Sequence, residues 1–166
     1  MVIWVSDTSI LIDLDRGGLL EHAFSCDQIL AVPDLLYQNE LEEENGPYLR
    51  TLGLNVLSLT PDELALAQSI RGQRPPLSLP DCFALCCAFR QDHLLLTGDM
   101  VLRKEATARG TTVYGLLWVL DQIEACGKFG VAPLHEGLSK ISADKRCRLP
   151  REGVNVRLAK WAKPNT

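Results

Sequence analysis

The chain has 166 residues, 46% of them hydrophobic and 23% charged. That is one ordinary domain, able to bury roughly two-thirds of its unfolded surface, and it excludes a disordered chain. Charge divides along it: residues 1–139 hold 9 basic and 19 acidic side chains, residues 140–166 hold 8 basic and 2 acidic, an acidic body followed by a basic tail.

Val2 to Ser6 is a short, β-branched apolar run and reads as a buried strand. It meets Asp7 without a Lys or Arg, so neither a secretory signal nor a transit peptide is predicted, and a cytoplasmic protein is expected. Ile29 to Val32, closed by Pro33, predicts a second strand, Asn55 to Leu59 a third, His93 to Thr97 a fourth and Thr111 to Tyr114 a fifth. Helices are expected at Asp34 to Asn45, stopped by Gly46-Pro47, and at Pro61 to Arg71, opened by a Thr60/Glu63 capping box. Two more are expected at Leu79 to Asp92 and at Val101 to Arg109, the latter ended by Gly110. From about Leu116 the tail reads as helix broken by Pro133 and Pro150; Leu117, Trp118, Leu120 and Ile123 form an apolar face for the sheet or a second subunit. Strands alternating with helices in this way predict an α/β sandwich with a mainly parallel sheet. No apolar run approaches the roughly 18 residues that a membrane helix needs.

Of six cysteines, Cys82, Cys86 and Cys87 crowd one helix, while Cys26, Cys126 and Cys147 stand alone. With no C-x-x-C pair, free thiols are expected, and Cys82 and Cys86 read as small core residues rather than a zinc half-site.

No G-x-G-x-x-G, P-loop, G-x-S-x-G or H-E-x-x-H pattern occurs, and His22, His93 and His135 are far apart. What remains is acid at strand ends. Asp7 follows the first strand, and Asp99 follows the fourth after Thr97-Gly98. Ligands of an open parallel sheet gather outside the carboxyl ends of its strands. If those two strands are neighbours, the carboxylates face each other and need a cation or a shared proton between them. A hard divalent ion suits such oxygen ligands. Asp81 opens the third helix, whose N-terminus points to the same edge. On a helical wheel Glu40 and Glu44 share the arc of Leu36, Tyr37 and Leu41, so Glu40 is expected to turn toward the sheet rather than water; Glu42 and Glu43 are expected in solvent. Each acid also has a local use: Asp7 as the cap of a helix from Thr8 to Asp15, Asp81 in a capping box with Ser78, Asp99 as a turn or cap residue, and Glu40 in an ion pair. Four acids converging on one edge point to a cation.

Val5-Ser6-Asp7-Thr8-Ser9 with Ile10-Leu11-Ile12, Glu40 after the Pro33 boundary, Pro80-Asp81 followed by Ala84 and Ala88, and Leu95-Leu96-Thr97-Gly98-Asp99 together resemble the PIN-domain nucleases. That family includes the VapC-type toxins of toxin–antitoxin pairs. The resemblance covers residues 1 to about 120, including Arg103, Ala106, Gly110 and Val113. It implies a three-layer α/β/α sandwich around a five-stranded parallel sheet, with the first and fourth strands as central neighbours. It also implies that Asp7, Glu40, Asp81 and Asp99 are catalytic and bind Mg²⁺ or Mn²⁺, with Thr8, Ser9 and Thr97 as supporting hydroxyls. The sequence departs from the pattern after Asp99, where Met100-Val101-Leu102-Arg103-Lys104 hold no further acid. A PIN-like domain over 1–125 and a basic helical extension over 126–166, packed on that domain or on a dimer partner, are expected.

The expected function is metal-dependent hydrolysis of RNA phosphodiester bonds, with a role as the toxin of a toxin–antitoxin pair and an antitoxin protein and a second copy of the chain as partners. Arg103 and Lys104, with Lys145, Arg146, Arg148 and Arg151, are expected to grip single-stranded RNA. The alternative is a non-catalytic interaction module working through a protein partner. A receiver-like phosphotransfer protein is disfavoured, because position 9 is Ser where a D-x-D motif needs an acid.

Overall fold

The computed structural model describes residues 1–162. The chain opens with β1 (Ile3–Ser6), α1 (Thr8–Arg16), α2 (Leu20–Phe24), β2 (Ile29–Pro33) and α3 (Asp34–Leu36). A π-helical turn over Tyr37–Leu41 follows, then α4 (Gly46–Leu52), β3 (Asn55–Leu57), α5 (Pro61–Gln73) and α6 (Leu79–Ala88). The second half holds β4 (His93–Leu96), α7 (Met100–Ala108), β5 (Val113–Tyr114), α8 (Leu116–Cys126), α9 (Ala132–Ala143) and α10 (Arg151–Trp161). The five strands form one all-parallel sheet in the order β3-β2-β1-β4-β5. Trp4, Val5, Leu30, Ala31, Val32, Leu94, Leu95 and Leu96 are all buried. Strands covered on both faces read as continuous apolar runs, which is why these were legible as strands. The helix α6, buried from Cys82 to Ala88, lies across β1, β2 and β4 and carries α3, α5 and α7 against it. The second helical layer joins α1, α2, α8, α9 and α10, completing a three-layer α/β/α sandwich.

The expected helix from Asp34 to Asn45 is corrected. It is three α-helical residues and a π turn, and Gly46-Pro47 opens the next helix instead of stopping this one. Pro in the first turn loses no helical hydrogen bond. Gly46 is required there, since a Cβ would fall 2.5 Å from the Leu41 carbonyl oxygen. The helix expected to reach Asp92 ends at Ala88, and Asp92 adopts the left-handed conformation (φ 60°) before β4. The helix α2 has no counterpart among the expected elements.

Pro133 and Pro150 break the tail as expected, by starting α9 and preceding α10. The helix α9 lies so close to the end of α1 that a Cβ on Gly137 would fall 2.5 Å from Leu19 Cδ1 and 2.8 Å from the Gly17 carbonyl. The helix α10 packs on α9 and is tied to α8, where Arg157 donates to both oxygens of Asp121 at 2.8 and 2.6 Å, and Trp161 Nε1 donates to Glu124 at 2.7 Å. Leu120 and Ile123 are buried within the chain, and Trp118 stacks on Tyr114 at 4.0 Å. Residues 163–166 of the expected extension lie outside the described residues. No described helix is long and apolar enough to cross a membrane.

Candidate active site

β1 and β4 run side by side with Ser6 opposite Leu96, so Asp7 and Thr97 leave the sheet together. The Asp7 N–H donates to the Leu96 carbonyl at 3.0 Å, and only 4% of the residue is exposed. Its Oδ1 accepts from the Ser9 hydroxyl at 2.7 Å and from the Ile10 N–H at 3.2 Å, which caps α1. Its Oδ2 accepts from the Thr97 hydroxyl, whose oxygen in turn accepts the Asp99 N–H at 3.0 Å. Asp99 caps α7 through the Leu102 N–H at 2.9 Å. Asp81 and Ser78 form a reciprocal capping box at the start of α6, both bonds 3.1 Å. Glu40, on the π turn, accepts from the Thr8 hydroxyl. All four carboxylates line one cavity of about 410 Å³, together with Thr8 and Ser9.

Arginines share that cavity. Arg16, Arg146 and Arg148 line it along with Asp13. Arg16 bridges Asp13 at 3.1 Å and Asp144 at 3.2 Å, and Arg146 clasps Asp144 through Nε at 3.0 Å and Nη2 at 3.1 Å. The Arg146 guanidinium holds the Asp144 carboxyl well below the usual carboxylate range. Arg148 makes no ion pair among the described residues. Burial pushes the Asp7 carboxyl up to about 6 against the pull of its three hydrogen bonds, and the charge of Asp81 adds to that push. A carboxylate enclosed this way is charged at a cost that a cation would offset.

The local uses expected of Asp7, Asp81 and Asp99 and the shared pocket are both realised, because three helix N-termini open onto the same sheet edge. Glu40 requires a correction: it is exposed, as is Glu44, rather than turned into the sheet. The π turn changes the angular step per residue, so a wheel drawn at 100° misplaces it. Arg103 and Lys104, expected to grip RNA, do not line the cavity. They sit a full turn along α7 from its capped end; Arg103 Nη1 lies 3.1 Å from where a Cβ of Gly115 would stand, and Lys104 borders a separate cavity with Arg74 and Pro75. Of the four tail cations expected to grip RNA, Arg146 and Arg148 line the cavity and Lys145 and Arg151 do not. Asp13 and Arg16 were missed by sequence reasoning. Their signal was the spacing Ser9, Asp13, Arg16, a stripe along the helix that Asp7 caps.

A PIN-domain family model, DUF3368, matches residues 3–163. The chain belongs to the PIN-domain family. No curated protein matches it. PIN domains are in general nucleases and typically use divalent metal ions. The match extends past the point near residue 120 where the motif resemblance ended and takes in α9 and α10. This PIN domain's donor set fits a hard divalent cation: every candidate ligand is an oxygen, and Asp7 carries its charge against burial. Among the described residues, no three His, Cys, Asp or Glu side chains close on a common point.

Proposed function

We propose that this PIN domain is a Mg²⁺- or Mn²⁺-dependent endoribonuclease. The observation that carries the reading is the convergence of Asp7, Glu40, Asp81 and Asp99, from four separate elements, on one cavity at the carboxyl edge of β1 and β4. Asp7 is the central ligand, held by Ser9, Ile10 and Thr97 so that its oxygens keep one orientation. Asp81 and Asp99 are fixed by the helices they cap, and Glu40 is steadied by Thr8. A bound divalent ion would lower the pKa of a water and offset charge on the phosphate. Arg148 is free to engage a phosphate of the RNA backbone, and guanidinium is well shaped for that contact. A single strand reaches such a recessed cavity more easily than a duplex.

The deciding experiment measures RNA cleavage with Mg²⁺ or Mn²⁺, with EDTA, and with Asp7→Asn and Asp99→Asn. Cleavage that needs the metal and fails in both variants supports the reading. Cleavage indifferent to EDTA and to both substitutions overturns it; no cleavage under any condition leaves a non-catalytic interaction module in its place. A toxin role, with a cytoplasmic site of action and an antitoxin as partner, belongs to the same proposal. Its test is growth arrest on expressing the wild-type chain but not Asp7→Asn. Homodimer formation is tested by light scattering on the purified chain.

A further inference from the structure

We infer that Cys26 and Cys126 form a dithiol site that closes to a disulfide when the folded chain meets a low-molecular-weight disulfide. The two residues are 100 positions apart, yet their sulfurs are in contact at 2.6 Å, with Cys26 donating. Cys26 lies just beyond α2, and Cys126 is the last residue of α8. The contact does not stand alone. The helix α2 packs on α8, and Lys128 reaches back to the Ser25 carbonyl at 2.6 Å and to Asp27 at 3.3 Å. Bonds on both sides of the sulfurs therefore hold the two segments together while both thiols are reduced.

The site differs from the other four cysteines. Cys82, Cys86 and Cys87 are 0–1% exposed inside α6, beyond the reach of a reagent, and Cys147 borders a cavity in the tail that holds no second thiol. Cys126 is half-buried and Cys26 is 6% exposed, so an incoming disulfide meets Cys126 first. Burial, with the hydrogen bond to Cys126 next in weight, pushes the Cys26 thiol up to about 12.

The chemistry balances in two exchanges. The Cys126 thiolate attacks one sulfur of the reagent, R–S–S–R; its S–S bond breaks, RS⁻ leaves, and a mixed disulfide forms on Cys126. Cys26 then loses its proton to solvent and attacks the Cys126 sulfur, expelling the second RS⁻. Two protein thiols are oxidised and one external disulfide is reduced to two thiols. The product clamps α2 to α8 and closes a long loop, which restricts the unfolded chain. Neither cysteine lines the acidic cavity, so the clamp acts on the fold and leaves the candidate active site intact.

The test incubates the folded full-length chain with glutathione disulfide, then alkylates free thiols and maps peptides. The expected result is one cross-link, Cys26 to Cys126, reversed by dithiothreitol, with a melting temperature several degrees above that of the reduced chain. Cys126→Ser should lose both the cross-link and the thermal gain, and Cys147→Ser should keep both. Glutathione remaining as an adduct on Cys126, a cross-link appearing only in denaturant, a cross-link to Cys147, or no reaction would each overturn the inference.

Discussion

Asp7 binds its proton more tightly in the folded chain than in the unfolded one, because burial outweighs the bonds from Thr97, Ser9 and Ile10. Unfolded, an Asp titrates at about 3.9; folded, this one titrates at about 6. In metal-free buffer stability should therefore fall as pH rises between those values, and the full loss should be present above about 6. Asp7→Asn removes the charge and keeps an oxygen for the Ile10 N–H. Its expected outcome is higher stability than wild type at pH 7, by up to about 3 kcal/mol, with the gap closing by pH 4. Thermal melts at both pH values check this, and a variant less stable at pH 7 would refute the dominance of burial. Arg148→Ala should raise KM for single-stranded RNA several-fold with little change in kcat, and should flatten the dependence of log binding on log salt by about 0.7. Cleavage and filter-binding assays across a salt series read both. Asp7, Asp81 and Asp99 were legible in the sequence because each directly follows a strand or opens a helix. The free guanidinium of Arg148 was not, since nothing local separates it from Lys145 or Arg151.

Among the elements, α9 lies tightly against the segment that follows α1. Gly137→Ala would push a methyl into Leu19 and the Gly17 carbonyl. A loss of about 1–3 kcal/mol is expected, measured by urea denaturation, and activity should drop with it because Arg16 sits at the same end of α1. A second tie joins α5 to the segment after α6: Arg90 bonds both oxygens of Glu63, at 2.9 and 2.8 Å, and the Ser58 carbonyl at 2.6 Å. The Arg90 guanidinium holds the Glu63 carboxyl down to about 2. This contribution is present above the ordinary Glu value and is lost as pH falls from about 4 toward 2. Glu63→Gln should therefore cost on the order of 1 kcal/mol at pH 7, after solvent screening of a partly exposed pair, and almost nothing at pH 2; acid titration followed by circular dichroism measures the difference. Strands and most helices were readable from burial periodicity and caps. The π turn was not, because its cause is tertiary: Leu36, Tyr37 and Leu41 must all be buried while Glu40 reaches Thr8.

At the scale of the molecule, the charge division along the sequence becomes a division inside one cavity, with carboxylates from the body and two arginines from the tail. Adding Mg²⁺ should raise the melting temperature of wild type, by about 2.7 kcal/mol of stability at a hundredfold excess over its dissociation constant. EDTA should reverse the rise, and Asp7→Asn should show little of it; calorimetric melts decide. Alternation of strands and helices announced a parallel sheet. Strand order entered only through the motif resemblance, because hydrophobic runs carry no record of their neighbours. That order has a consequence in time. The hydroxyl that seats Asp7 belongs to Thr97, and of the three arginines lining the cavity one is at 16 and two are at 146 and 148. On a ribosome the acidic floor of the cavity is therefore laid down well before two of the three arginines that face it, and its charge stays one-sided until Arg148 has emerged.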